Sequence, residues 1–125
     1  IAAGILSQLE HILVGSLKQN RRAAILLFLH RHFSDPVALE DLALELGLSS
    51  SRTSHVVREH CHRSFQELLL ETRMNAAQAL LQTSNLKVRE IAKRVGVPNE
   101  YHFSRLFKRT FGLPPGKYRQ HQRRR

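Results

Sequence analysis

Two segments of the chain carry the same residue pattern, and this repeat limits the possible folds more than any other feature. The first segment covers residues 39–61 and the second covers residues 88–111. Matched positions lie 49 residues apart up to a shared glycine, Gly47 or Gly96, and 50 residues apart beyond it. The chain is therefore predicted to build one helical unit twice, with a turn that is one residue longer in the second copy.

Each copy has the residues that a helix-turn-helix needs. A small residue, Ala43 or Ala92, precedes the glycine and allows two helices to cross closely. The glycine accepts a left-handed backbone conformation that a Cβ atom disfavours. One such pattern alone would fit a helical hairpin with no role in DNA binding equally well. Two copies, each followed by a polar and basic helix, favour a pair of DNA-binding units whose second helices enter the major groove.

The rest of the chain also has apolar residues at helical spacing, and no strand-like alternation. We predict an all-α fold, with two helix-turn-helix subdomains joined by a long linker helix and an extra N-terminal amphipathic helix that packs on the domain or serves as a dimer or membrane-surface element. Gly112 and Pro114-Pro115 should end the last helix. The predicted segments are an N-terminal helix or interdomain linker (1–20), a first helix-turn-helix subdomain (21–63), a linker helix (64–83), a second subdomain (84–119) and a basic tail (120–125), which ends in Arg123-Arg124-Arg125 and is expected to be disordered there.

The positive charge of the chain is concentrated in its later part. Residues 1–50 contain 4 Lys/Arg and 5 Asp/Glu, whereas residues 51–125 contain 16 and 5, and the formal net charge is +10. Such a positive field attracts a polyanion, but the charge alone does not decide whether the partner is DNA, RNA or an anionic membrane. The longest apolar run, residues 23–29, is too short to cross a membrane.

Other classes of function have little support in the sequence. Cys61 is the only cysteine, so an internal disulfide is excluded and a cytoplasmic protein is favoured. The histidines around it, His60 and His62, lack the four-ligand spacing of a zinc site. No nucleophile elbow, phosphate loop or paired carboxylates stand out. We therefore predict no enzyme activity, no cofactor, no metal site and no membrane partner.

The chain resembles the AraC/XylS family of transcription regulators, most specifically in its second half. The resemblance covers roughly residues 21–119, and its most specific residues are Arg73-Met74, Ala77, Leu80-Leu81, Ile91-Ala92, Val95-Gly96, Phe103-Ser104-Arg105, Phe107-Lys108, Gly112, Pro115 and Tyr118-Arg119. It implies two helix-turn-helix subdomains with a linker helix, promoter binding and RNA polymerase as a candidate partner. It also implies a separate N-terminal domain for an effector or for dimerisation, so this chain, which begins at Ile1, is expected to be a monomeric fragment.

The sequence departs from the family pattern mainly in the first unit. Large or aromatic residues are expected where Thr53, Val57 and Val97 stand, and a glycine where His62 stands. Side chains that cap helices are expected at the positions of Ala38 and Lys87. The first unit is therefore expected to read DNA more weakly than the second.

The candidate DNA contacts lie on the second helix of each unit. Arg105 is the best candidate for direct base reading, because a guanidinium bonds guanine O6 and N7 together. His55 takes the matching place in the first unit, where we expect weaker or pH-sensitive reading. Phe103, Leu106 and Phe107 should face the core. The base-reading candidates are Ser51, Arg52, Ser54, His55, Glu100, Tyr101, Ser104 and Arg105, and the phosphate candidates are Arg58, Lys87, Arg89, Lys108, Arg109 and Lys117.

The function predicted from these features is sequence-specific binding of double-stranded DNA for transcription regulation, with promoter activation as the expected outcome, in the bacterial cytoplasm. The linker helix, about 19 residues at 1.5 Å each, spans about 28 Å. Successive major-groove faces are about 34 Å apart, so two recognition helices would reach successive major grooves. The alternative is a helical protein-interaction module or regulatory appendage that binds nucleic acid without sequence preference.

Overall fold

The computed structural model describes residues 20–124, and within this range every regular element is a helix. The all-α prediction is therefore confirmed, while the amphipathic helix predicted before residue 20 lies outside the described residues. Seven helices follow in order: α1 (described over residues 20–32), α2 (Leu39–Leu46), α3 (Ser50–Cys61), α4 (Phe65–Thr83), α5 (Val88–Arg94), α6 (Glu100–Phe111) and α7 (Pro115–Arg123).

The chain divides into two compact units. Among the described residues, the first unit contains α1 up to His30 together with Ala38–Phe65. The second unit contains Arg31–Val37 and everything from Gln66 onward. Most of α4, the predicted linker helix, therefore packs as part of the second unit.

The first helix-turn-helix is formed by α2 and α3. Leu42 and Ala43 on α2 are buried, as the repeat predicted for the side where the helices cross. Gly47 adopts the left-handed conformation with φ +68° and ends α2. The Ser49 side chain then caps α3 by accepting a hydrogen bond from the Arg52 N–H at 3.1 Å. The predicted two-helix unit is thus present with its turn and its cap.

Thr53 keeps the family's core position although it is small and polar. Its side chain is fully buried, and its hydroxyl donates to the Ser49 carbonyl at 2.7 Å. The hydrogen bond removes the penalty of burying the hydroxyl. Val56 and Val57 are buried beside it on the same helix. The small and polar Thr53 is therefore accommodated on the core side of α3, whereas the exposed side of this helix carries Arg52 and His55.

The second helix-turn-helix, α5 and α6, packs on α4 and α7 around a larger core. Met74 and Ala77 of α4 lie in this core with Ile91 and Ala92 of α5. Phe103 and Phe107 are buried as predicted. Leu106, predicted as core, is only half-buried and packs at the edge. The Asn99 side chain caps α6 by accepting from the His102 N–H at 2.9 Å.

The chain after Gly112 forms a further helix, α7, which continues through residues 120–123 of the predicted basic tail. Pro115 occupies the first turn of α7, where a missing N–H costs no hydrogen bond. Tyr118 is buried, and its hydroxyl accepts hydrogen bonds from Gln78 and Gln82 of α4. The two prolines therefore end one helix and start another, which continues to Arg123.

The helix ends confirm the departures noted in the sequence. Neither Ala38 nor Lys87 makes a side-chain cap. The Asp41 carboxylate partly compensates at α2 by accepting from the Ala38 N–H at 2.8 Å. His62 ends α3 with φ +60°, so a side chain occupies the left-handed position where glycine was expected.

Candidate nucleic-acid interface

Helix α6 divides into a buried side and a solvent side. Phe103 and Phe107 fill the core, while Tyr101 and Arg105 are exposed, with 83 % of Tyr101 accessible. Glu100 and Ser104 are half-buried, and Lys108 is exposed. The aromatic core fixes the rotation of the helix, because Phe107 contacts the ring of Tyr118 edge-on at 5.3 Å between centroids. A set of polar side chains is therefore held outward by a rigid apolar base.

Helix α3 has the same division in the first unit. Thr53, Val56 and Val57 point into the core, and Arg52 and His55 are exposed. The other two predicted base-reading residues of this helix, Ser51 and Ser54, are exposed and half-buried respectively. None of the eight base-reading candidates is buried, so each of them keeps some solvent-exposed surface.

The six phosphate candidates are also exposed, but they come from different elements. Arg58 lies on α3, and the Lys87 and Arg89 side chains lie at the start of α5. Lys108 and Arg109 occupy the last turn of α6, and Lys117 the first turn of α7. Five of these side chains therefore belong to the second unit and surround the ends of its helices.

Two partly buried guanidinium groups bind backbone carbonyls within the second unit, and sequence reasoning gave neither this role. Arg73 Nε donates to the Phe33 carbonyl at 2.8 Å and its Nη2 to the Asp35 carbonyl at 3.0 Å. Arg119 donates to the carbonyls of Leu81, Ser84 and Leu86. Burial lowers the pKa of both groups, and Arg123 lowers that of Arg119 further. Both arginines matched the family pattern, and that match was the only sequence signal for them.

One exposed residue on α6, His102, was given no role by sequence reasoning. It borders a surface recess of about 360 Å³ together with Arg105, Leu106 and Arg109. The repeat contains a sequence signal for His102. Matched positions beyond the turn lie 50 residues apart, so His102 corresponds to Arg52.

Three further features of residues 20–124 concern the thiol, metal ligands and membrane-length helices. Burial raises the pKa of the Cys61 thiol, and the smaller opposing effect of the Arg22 guanidinium does not reverse this. A protonated thiol is a poor nucleophile and a poor metal ligand. Within the same range, no three His, Cys, Asp or Glu side chains are grouped to hold a metal ion. No helix in it has the length and apolar character to span a membrane.

Comparison with known proteins decides the family. A family model described as a helix-turn-helix domain matches residues 42–121, from the buried side of α2 to α7. The chain belongs to the AraC/XylS family of helix-turn-helix domains. The resemblance seen in the sequence is thereby confirmed, and with it the helix-turn-helix class of a DNA-binding transcription regulator.

Individual relatives agree with this assignment. The Msm operon regulatory protein of Streptococcus mutans is 33 % identical over 92 residues, which is 74 % of this chain and 33 % of that protein. The C-terminal domain of AraT, a response regulator from Geobacillus stearothermophilus, superposes with a TM-score of 0.76 at 33 % identity, over 80 % of this chain and 84 % of that domain. The DNA-binding domain of the global transcriptional factor AdpA, solved with a target DNA, gives a TM-score of 0.78 at 26 % identity, over 82 % and 93 % of the two chains.

The chain spans about a third of the length of the curated relatives that it matches first. The family resemblance therefore concerns the helix-turn-helix region.

Proposed function

We propose that this chain binds double-stranded DNA with sequence preference and thereby regulates transcription. In this proposal α3 and α6 are the recognition helices, and each inserts its exposed side into a major groove. Arg105 is the principal base reader, and Arg52 and His55 read more weakly from α3. The six exposed phosphate candidates position the domain without reading sequence.

The observation that carries the proposal is the two-sided character of α6. Its aromatic side is locked in the core, and its other side presents Arg105, Tyr101 and Lys108 to solvent. The same fold has been solved on a target DNA in AdpA, at a TM-score of 0.78. A basic helix held at a fixed rotation is what direct reading of base edges requires, because the donors must meet their acceptors without reorganisation.

Two recognition helices in one chain also suggest a site without a palindrome. The α4 helix, with 19 residues, has a length of about 28 Å, close to the 34 Å separation of successive major-groove faces. We propose that α3 and α6 occupy successive major grooves of one duplex. A protected region of about two helical turns in a footprint is the expected result, whereas protection of a single groove segment would contradict it.

The decisive experiment is selection from a random duplex library at physiological salt, followed by competition with bulk DNA. We expect one duplex to be preferred, and we expect its affinity to fall steeply with salt, as for a protein that neutralises about 6–10 phosphates. Equal affinity for every duplex would contradict this proposal and favour the alternative, a helical module that binds nucleic acid only through its charge.

The regulatory outcome is a separate part of the proposal. We propose that the protein activates promoters in the bacterial cytoplasm and that RNA polymerase is its second partner. Transcription from a promoter that carries the selected duplex upstream should rise when the protein is added. A fall in transcript would instead identify a repressor, and would leave the DNA-binding proposal intact.

A further inference from the structure

The two recognition helices carry the same pair of side chains in opposite order. Beyond the turn, matched positions lie 50 residues apart, so Arg52 corresponds to His102 and His55 corresponds to Arg105. The helix caps support this register, because Ser49 accepts from the Arg52 N–H and Asn99 accepts from the His102 N–H. Each helix therefore presents one guanidinium and one imidazole, three residues apart, from equivalent positions.

On α6 this pair is extended by a second guanidinium. His102, Arg105 and Arg109 stand at spacings of three and four residues, so they form one stripe along the helix. All three side chains are exposed, and they border the recess of about 360 Å³ whose remaining lining residue is Leu106. No carboxylate lines this recess, so an anion that enters it meets two guanidinium groups and an imidazole that can donate.

His102 also faces the neighbouring helix α4 across an apolar groove. That groove is bordered by Leu69, Leu70 and Val97, and Arg73 also lines it. The Arg73 guanidinium is already bound to the Phe33 and Asp35 carbonyls. The Arg73 donors are therefore already engaged, and the recess beside His102 is lined instead by Arg105 and Arg109.

We propose that His102, with Arg105 and Arg109, forms a seat for one backbone phosphate of the bound duplex. Arg105 has five N–H donors and can contact this phosphate while it reads the adjacent base edge. His102 then contacts the DNA backbone directly and adds to the affinity of α6 without reading a base. This inference rests on the proposed function, because it assumes that α6 lies against duplex DNA.

The test combines a protein variant with a modified phosphate. His102→Ala removes the donor at an exposed helical position, where alanine is favourable for folding. We expect the selected duplex to bind roughly 3- to 10-fold more weakly, as for one hydrogen bond exchanged against water, with no change in base preference. His102→Arg, which reproduces the residue of α3, should restore the affinity. His121→Ala on α7 is the matched control and should bind like the wild type.

The phosphate itself is located with duplexes that carry one neutral methylphosphonate at each position in turn. In the wild type, a methylphosphonate in place of the phosphate at the seat should weaken binding. In His102→Ala, the same methylphosphonate should reduce the affinity by a several-fold smaller factor, since the contact is already lost. A variant with unchanged affinity, or one that changes preference at a single base pair, would overturn the phosphate seat.

If the wild type bound every duplex equally, the proposed function would fail. The seat would still predict the same loss for His102→Ala on bulk DNA, and an unchanged affinity there would overturn it as well.

Discussion

The Nε atom of Arg73 donates a hydrogen bond to the carbonyl oxygen of Phe33, 40 residues earlier in the chain, at 2.8 Å. Through this bond α4 holds the segment Arg31–Val37 within the second unit. The same Phe33 carbonyl would lie 2.7 Å from a Cβ atom added at Gly96. Arg73, Phe33 and Gly96 thus meet at one point, and the turn before α6 is packed against it.

Removing the Arg73 side chain should destabilise the second unit. Arg73→Ala leaves the Phe33 and Asp35 carbonyls without their guanidinium donor, and a lost hydrogen bond to a charged group costs about 1.5–3 kcal/mol. Urea unfolding followed by circular dichroism measures the effect. Arg94→Ala, an exposed arginine on α5, is the control and should change stability by less than about 0.5 kcal/mol. Equal losses of stability in both variants would show that the hydrogen bonds of Arg73 stabilise the second unit no more than an exposed arginine does.

The two turn glycines should differ in their tolerance of alanine. Gly47 has φ +68° and nothing within 4 Å of an added Cβ, so Gly47→Ala should cost only the backbone strain of about 1–2 kcal/mol. Gly96 has φ +87°, and a Cβ atom added there would also lie 2.7 Å from the Phe33 carbonyl oxygen. Gly96→Ala should therefore lower the free energy of unfolding clearly more than Gly47→Ala. Denaturant midpoints of both variants test the order. Equal losses would mean that the chain around Phe33 gives way without cost.

A glycine at position 62 should stabilise the first unit. His62 ends α3 in the left-handed conformation with φ +60°, where a Cβ atom costs about 1 kcal/mol or more. His62→Gly should therefore raise the free energy of unfolding by about 0.5–1 kcal/mol, since glycine loses part of this gain through its flexibility in the unfolded chain. Gly112→Ala, at the matching end of α6 with φ +86° and open space around it, should show the opposite sign. A loss of stability in His62→Gly would contradict this account.

Local patterns in the sequence predicted most of the helices because each signal acts within a few residues. The turn glycine of the repeat marks the end of α2 at Gly47, and Gly112 marks the end of α6, as the structure shows. Helix α7 was missed because Pro115 was read as a stop, although a proline at the first turn also starts a helix. What settles the choice is the burial of Tyr118 against α4, a contact between residues distant in the chain.

The candidate site was predicted less completely, for a related reason. Helical periodicity places Arg105 and Tyr101 on the solvent side, which the structure also shows. It does not say which exposed side chains share a recess. His102 was not among the predicted DNA contacts, because the predicted base readers of α6 are Glu100, Tyr101, Ser104 and Arg105, whereas the recess lies along the stripe of His102, Arg105 and Arg109. The buried Thr53 was treated as a weakness because its hydrogen bond to Ser49 could not be foreseen from composition.

The sharpest prediction for the interface concerns Arg105. Arg105→Ala should weaken binding to the selected duplex by about 1–3 kcal/mol and relax the preference at one base pair, because the guanidinium is expected to bond one guanine edge. Its stability should be close to that of the wild type, since the side chain is exposed. Affinities for duplexes that vary each base pair in turn separate the two effects.

Lys117→Ala provides the contrast for Arg105→Ala. Lys117 is exposed on the first turn of α7 and is expected to meet only phosphate, so its loss should weaken all duplexes alike and reduce the salt slope by about 1. A uniform loss in Arg105→Ala as well would reassign Arg105 from base reading to phosphate contact. The phosphate seat beside His102 would then account for the whole contribution of this part of α6, and base reading would have to come from Tyr101, Ser104 or the α3 helix.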